Sequence, residues 1–164
     1  MRIVRAGIER IDDLQPLWES LHDHHATIAP HLEELGPVRR PDQSWAVRRE
    51  LYEDWLAEPD AFVLLAEVDR QPNGYALVHL RGPEETWQTG ERIGVLETLT
   101  VLPDERGRGV GTALFERIYA ELRSLRVTEL EVAVISKNAA ALRFYERHGL
   151  LPFTVSYMGR VRDG

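Results

Sequence analysis

The stretch E-T-L-T-V-L-P-D-E-R-G-R-G-V-G-T, residues 97–112, constrains the fold more than any other part of the chain. Side chains alternate through Val101 with the period of a strand, and Pro103, which lacks a backbone donor, ends it. Arg106-Gly107-Arg108-Gly109-Val110-Gly111 then turns into a helix beginning near Gly109, whose apolar stripe is Val110, Leu114, Ile118 and Leu122. A strand, a glycine-rich turn and a helix start make an anion cradle. The first N–H groups of a helix have no intrahelical partner, the macrodipole makes that end positive, and glycines admit a ligand close to the backbone. Pyrophosphate is the anion such a turn suits best.

Composition narrows what surrounds the cradle. A chain of 164 residues suits a single domain spanning 1–164, burying about two-thirds of its unfolded surface without disulfides or metal. No apolar run approaches the roughly 20 residues of a membrane span, and Met1 to Arg5 enters a strand-like segment with no apolar leader, so no membrane partner and a cytoplasmic location are expected. The absence of cysteine excludes a disulfide framework, a thiolate zinc site and a cysteine nucleophile. A net charge of -7 disfavours nucleic acid, which needs clustered basic residues. His22, His24, His25 and His31 lack the spacing and companion carboxylates of a metal site, so they are expected to be exposed or capping residues, one of them in a cleft, with no metal bound.

Taken in order, the chain opens with a strand over Ile3 to Ala6 and a helix from the Asp12/Gln15 capping pair to before Pro30, with Ile11, Leu14, Trp18, Leu21 and Ile28 at helical spacing. A second helix carries Trp45, Arg48, Leu51, Tyr52, Trp55 and Leu56 and stops before Pro59. Strands Ala61 to Val68 and Tyr75 to Leu80 are joined at the Asn73-Gly74 turn signal into a hairpin. Strand Ile93 to Val101, the cradle helix and strand Thr128 to Val134 form a crossover unit whose two strands should lie parallel and adjacent. Asn138 caps a helix closed by Gly149, and the alternation of Phe153, Val155 and Tyr157 predicts one or two final strands within Leu150 to Val161.

The glycine turn is not followed by Gly-Lys-Ser/Thr, which excludes a Walker-type phosphate loop, and it comes after three long strands instead of opening the chain, unlike a dinucleotide fold. The residues resemble instead the Gcn5-related N-acetyltransferase family. Its Arg/Gln-x-x-Gly-x-Gly/Ala signature matches Arg106, Gly109 and Gly111, and the longer form V-x-P-x-x-R-G-x-G-x-G adds Val101, Pro103 and Gly107. The second element, N-x-x-A-x-x-F-Y-x-x-x-G-F, matches Asn138, Ala141, Phe144, Tyr145 and Gly149, departing at Leu150.

The resemblance implies an α/β (α+β) fold: a mixed, mostly antiparallel sheet with a splayed parallel strand pair and helices on both faces. It implies acetyl-CoA as co-substrate, with the backbone of Arg106, Gly107, Arg108, Gly109, Val110, Gly111 and Thr112 on the pyrophosphate. Leu99, Thr100 and Val101 would pair with the pantetheine arm, which Asn138 would also reach. A small-molecule or peptide amine is the acceptor so implied, and homodimerisation is a habit of the family. Direct attack needs a base to neutralise the amine and an acid to protonate the thiolate. Glu97 is the candidate base and Tyr145 the candidate acid, with Tyr157 and His79 in reserve. Thr98 and Thr100 would face away from Glu97 on a regular strand, and a bulge, expected in this family, would change that. From another class, a catalytically silent acyl-CoA sensor would keep the cradle and lack turnover.

Overall fold

The alternating segments build one five-stranded sheet in the computed structural model, which describes residues 1–163. Strands β1 (Arg2–Ala6), β2 (Phe62–Val68), β3 (Gln71–Arg81), β4 (Ile93–Val101) and β5 (Glu129–Val132) lie side by side in chain order. The first four pair antiparallel, and β5 runs parallel to β4. Helices α1 (Gln15–Ile28) and α2 (Pro41–Leu56) belong to one face, and α3 (Val110–Ser124) and α4 (Ala139–Arg147) to the other. The fold is thus mixed α/β with the parallel pair that the crossover rule requires. Among the described residues no helix is long and apolar enough to cross a membrane.

The sheet is buried on both sides, so β2 reads as a nearly unbroken apolar run instead of an alternation. Phe62, Leu64 and Ala66 join Leu114, Phe115 and Ile118 of α3 in one core, while Val63 and Leu65 join Leu14, Leu17, Trp45 and Tyr52 in the other. Full burial of each Val, Leu, Ile or Phe among them contributes about 1.5–3 kcal/mol. The end of α4 is closed by Gly149 at φ +86, with Gly149 N–H donating to Glu146 and Leu150 N–H to Tyr145, the two bonds of a Schellman motif.

Three expectations are corrected. The hairpin turns at Asp69-Arg70, both at positive φ (51 and 67), and not at Asn73-Gly74. Asn73 is instead the extra residue of a bulge, since Ala66 pairs with Gly74 and Glu67 with Pro72. A Cβ on Gly74 would stand 2.8 Å from the Thr100 carbonyl, so this glycine serves a close strand approach. Secondly, Asp12 does not cap α1: it lies in a 3-10 turn, Ile8–Leu14, and pairs with Arg49. Thirdly, residues 151–163 form no strand, because no strand edge among the described residues pairs with them.

Candidate active site

The parallel pairing of β4 and β5 covers only Ile93 to Leu96 opposite Glu129 to Val132. Glu97 is where the strand changes character. Leu77 pairs with Thr98 and Val78 with Leu96, leaving Glu97 as the extra residue of a bulge. The bulge reverses the alternation: Leu96 faces the α3 side before it, and Leu99 and Val101 face that side after it. Glu97 and Thr98 consequently share the α2 side, where Arg48 Nη2 donates to the Glu97 carbonyl at 2.8 Å and to Thr98 Oγ1 at 2.9 Å. Beyond the bulge, Leu99 to Val101 have no β5 partner, and the strands part.

At the far end of β4 the chain turns through the cradle. Gly107 and Gly109 stand at φ +74 and +81, the left-handed region that L side chains enter only with strain, and a Cβ on either would meet open space. Arg106, itself exposed, donates from Nε to the Val101 carbonyl at 3.1 Å, which fastens the turn to the strand. From Gly107 to Thr112 no backbone N–H donates to a carbonyl among the described residues; the series begins at Ala113, which donates to Gly109 at 2.9 Å. The unpaired donors therefore gather at the positive end of α3. A Cβ on Gly111 would lie 3.7 Å from the Phe144 ring and 3.9 Å from Val101 Cγ2, so this glycine is where the first turn of α3, the end of β4 and α4 converge. Arg108 is exposed and reaches Glu105 at 3.3 Å.

Glu97 does not stand alone. His79 Nε2 lies 2.8 Å from Glu97 Oε1, His79 Nδ1 lies 3.3 Å from Glu58 Oε2, and the imidazole stacks on Trp55 at 5.1 Å. Ionised carboxylates only accept, so both ring nitrogens donate when the imidazole is protonated. Burial by itself pushes His79 down, but the hydrogen bond and charge of Glu97, then those of Glu58, outweigh it and hold the imidazolium above its usual 6.5. Arg48 Nη2 is 3.8 Å from Glu97 Oε2, and its guanidinium lies over the rings of Trp18, Tyr52 and Trp55 at 4.6–5.2 Å. Tyr52 and Tyr75 share a hydroxyl bond at 2.8 Å, and Tyr52 also bonds Thr98. On α1, burial, then His24, His22 and Arg48, hold His25 down to about 4, so it stays neutral beside this cluster.

Tyr145 lies across the sheet from Glu97, in the core under α3, its ring 5.3 Å from Phe144 and 5.9 Å from Phe115. The ring is buried, but the hydroxyl bonds no protein group among the described residues and is not fully enclosed. Burial pushes its pKa up, so the O–H is kept as a donor. Asn138 Oδ1 accepts from the Ala141 N–H at 3.2 Å, a helix cap that leaves its amide nitrogen free of that bond. Tyr157 is 92% exposed on the C-terminal segment and bonds none of these groups.

Sequence reasoning missed the group that holds Glu97: Arg48, Trp18, Tyr52, Trp55 and Glu58. One signal was present, an arginine on the apolar stripe of α2 with Tyr52 and Trp55 one and two turns on.

The chain is similar along most of its length to known proteins. The model of the acetyltransferase (GNAT) family matches residues 18–150. The chain belongs to this family. One relative, the L-2,4-diaminobutyric acid acetyltransferase of Nocardia farcinica, is 30% identical over 96 residues, 56% of this chain and 44% of that protein. The chain likewise spans less than half the length of three other curated relatives it matches. Among solved structures, the aminoglycoside antibiotic 6'-N-acetyltransferase of Acinetobacter haemolyticus has a TM-score of 0.69 at 21% identity, covering 99% of this GNAT chain and 100% of that one. An aminoglycoside N-acetyltransferase solved in complex with CoA gives 0.69 at 16%, covering 99% and 100%. These are likenesses of fold.

Proposed function

We propose that this GNAT chain transfers an acetyl group from acetyl-CoA to a primary amine of a small molecule or peptide by direct attack. The observation that carries the reading is the run of unpartnered N–H groups from Gly107 to Thr112, ending a strand whose outer edge is free just past a bulged carboxylate. The cradle suits a diphosphate: its donors converge at a helix N-terminus, and no Cβ at 107 or 109 obstructs them. The free edge of Leu99 to Val101 suits an extended amide-bearing arm, and Asn138 lies at the start of the helix facing it. The fold neighbour solved with CoA supports the same donor class.

Within this reading Glu97 takes the amine proton through water, and His79 and Arg48 keep its carboxylate oriented. The amine lone pair forms the new C–N bond, the C–S bond breaks with its electrons on sulfur, and the Tyr145 O–H returns a proton to the thiolate. A backbone N–H near Val101 receives the carbonyl oxygen as it gains charge. The likeness to a diaminobutyric acid acetyltransferase favours an acceptor that carries a second amine.

The test is thiol release on mixing the protein with acetyl-CoA and a panel of mono- and polyamines, with the acetylated product found by mass spectrometry. Tight CoA binding with no release on any amine would replace this reading by a silent acyl-CoA sensor. Tyr145→Phe is expected to lower kcat about 10- to 100-fold while CoA affinity stays within about twofold and the melting temperature holds, because the hydroxyl makes no hydrogen bond among the described residues. A full rate in that variant would remove Tyr145 from the acid role.

A further inference from the structure

One buried cation of this chain lacks the partner that its burial calls for. Among the described arginines that pair with a carboxylate, Arg48 has the most buried side chain, 17% exposed against 31% for Arg81, the next. Each of the others has a carboxylate oxygen at 3.3 Å or closer, whereas Arg48 has only Glu97 Oε2 at 3.8 Å, too long for a hydrogen bond. Both of its hydrogen bonds leave from Nη2 and end on neutral oxygens, the Glu97 carbonyl and Thr98 Oγ1. Nε is enclosed and bonds nothing among the described residues. Nη1 bonds no group among them either, but it is not fully enclosed. The rings of Trp18, Tyr52 and Trp55 offset part of the lost hydration, and His25, held neutral, adds no negative charge. A buried charge is as a rule paired and hydrogen-bonded, so the open donors of Nη1 call for an acceptor from outside the chain.

We infer that Arg48 Nη1 receives a carboxylate of the acceptor, which makes the acceptor an amino acid and not a plain amine. The inference rests on the acetyl-transfer reading above, which puts the acceptor amine beside Glu97. Guanidinium N–H groups form short, charge-assisted bonds to carboxylate and phosphate oxygens, and the charges of the site choose between the two. Glu97 and Glu58 face Arg48 and, when its imidazole is protonated, His79, two charges of each sign. An amino acid brings its carboxylate together with its own ammonium and leaves that balance unchanged, whereas a phosphate adds negative charge beside two carboxylates. Glu97 Oε2 lies 3.8 Å from the guanidinium, so the amine and the carboxylate sit within a few bonds of each other on one small molecule. Nη2 stays on β4 and goes on holding Glu97. The two roles of Arg48 therefore use different nitrogens.

The test compares amino acids with the amines left when the carboxylate is removed, ornithine with putrescine and lysine with cadaverine. The carboxamide of each amino acid keeps the shape and loses the charge. Two quantities are read: kcat/KM for acetyl transfer, and binding to the CoA-loaded protein by isothermal titration, which needs no turnover. In the intact protein the amino acids should exceed both comparison sets by about 10- to 100-fold in kcat/KM, as for one charge-assisted hydrogen bond, with most of the difference in KM. In Arg48→Gln the preference should shrink to about threefold or less in both readouts. A loosened Glu97 slows every acceptor alike and cancels in this ratio, so the ratio reads the anchoring role alone. Arg48→Lys keeps the charge and should keep part of the preference. Acetylation that ignores the carboxylate, or a preference that survives Arg48→Gln, would overturn this inference and leave the transfer reading standing. Amino acids that bind through Arg48 but are never acetylated would uphold the carboxylate site and overturn the transfer reading. Neither binding nor turnover would overturn both.

Discussion

Gly109→Glu is expected to raise the dissociation constant for CoA by at least about 100-fold while the chain stays folded. Two effects act on this position and differ in size. Gly109 sits at φ +81 as the residue before α3, so any L side chain there costs about 1–2 kcal/mol of backbone strain. That is a fraction of the 5–15 kcal/mol of a typical domain. A Cβ at 109 meets no protein atom within 4 Å, so packing adds nothing to the cost. The larger effect is on the ligand: a carboxylate placed among donors that serve a diphosphate opposes it electrostatically and takes up N–H groups whose charge-assisted bonds are each worth about 1.5–3 kcal/mol. Gly109→Asn, which tolerates the left-handed region and carries no charge, separates the two effects and should lose less than about tenfold. Isothermal titration with CoA and a thermal melt measure both quantities. Wild-type affinity in Gly109→Glu would mean that the diphosphate lies elsewhere.

The contrast between the cradle and the box around Glu97 shows what a sequence discloses. Gly107, Gly109 and Gly111 are legible because the constraint is local: positive φ and the absence of a Cβ leave their mark within a few residues. The same holds for Asn138 as a cap and Gly149 as a helix stop. The support of Glu97 is not local. Arg48 arrives from α2, 49 positions away, and His79 from β3, 18 away, and only the bulge brings Glu97 and Thr98 to the same guanidinium. Asn73-Gly74 misled for a related reason. Asn-Gly marks unusual backbone wherever it falls, and here that is a strand bulge and a close approach to Thr100 instead of the hairpin turn, which Asp69 and Arg70 make themselves. The alternation of Phe153, Val155 and Tyr157 has the period of a strand, but a strand also needs an edge to pair with, and none among the described residues receives this segment.

Glu97→Gln is expected to lower kcat about 10²- to 10⁴-fold near neutral pH, the usual contribution of a positioned base, with little change in CoA affinity because Glu97 lies outside the cradle. The loss should shrink at alkaline pH, where the amine deprotonates unaided. A second, independent signature follows from His79. Its pKa is raised in the fold because Glu97 and Glu58 outweigh its burial, so the stability it contributes is fully present below the unfolded value of 6.5 and is lost as pH rises through the folded value. Glutamine removes the larger of the two supporting charges and leaves burial, which lowers His79. The wild-type melting temperature should therefore fall as pH rises from about 6 to about 9, and in Glu97→Gln this slope should flatten. Glu58→Gln removes the weaker, 3.3 Å contact and should flatten it less, while leaving the catalytic base in place. The pH–rate profile and the pH–melting profile thus read two roles of one carboxylate. An unchanged rate profile would take the base role from Glu97, and an unchanged melting slope would mean that its bond to His79 does not govern the imidazolium.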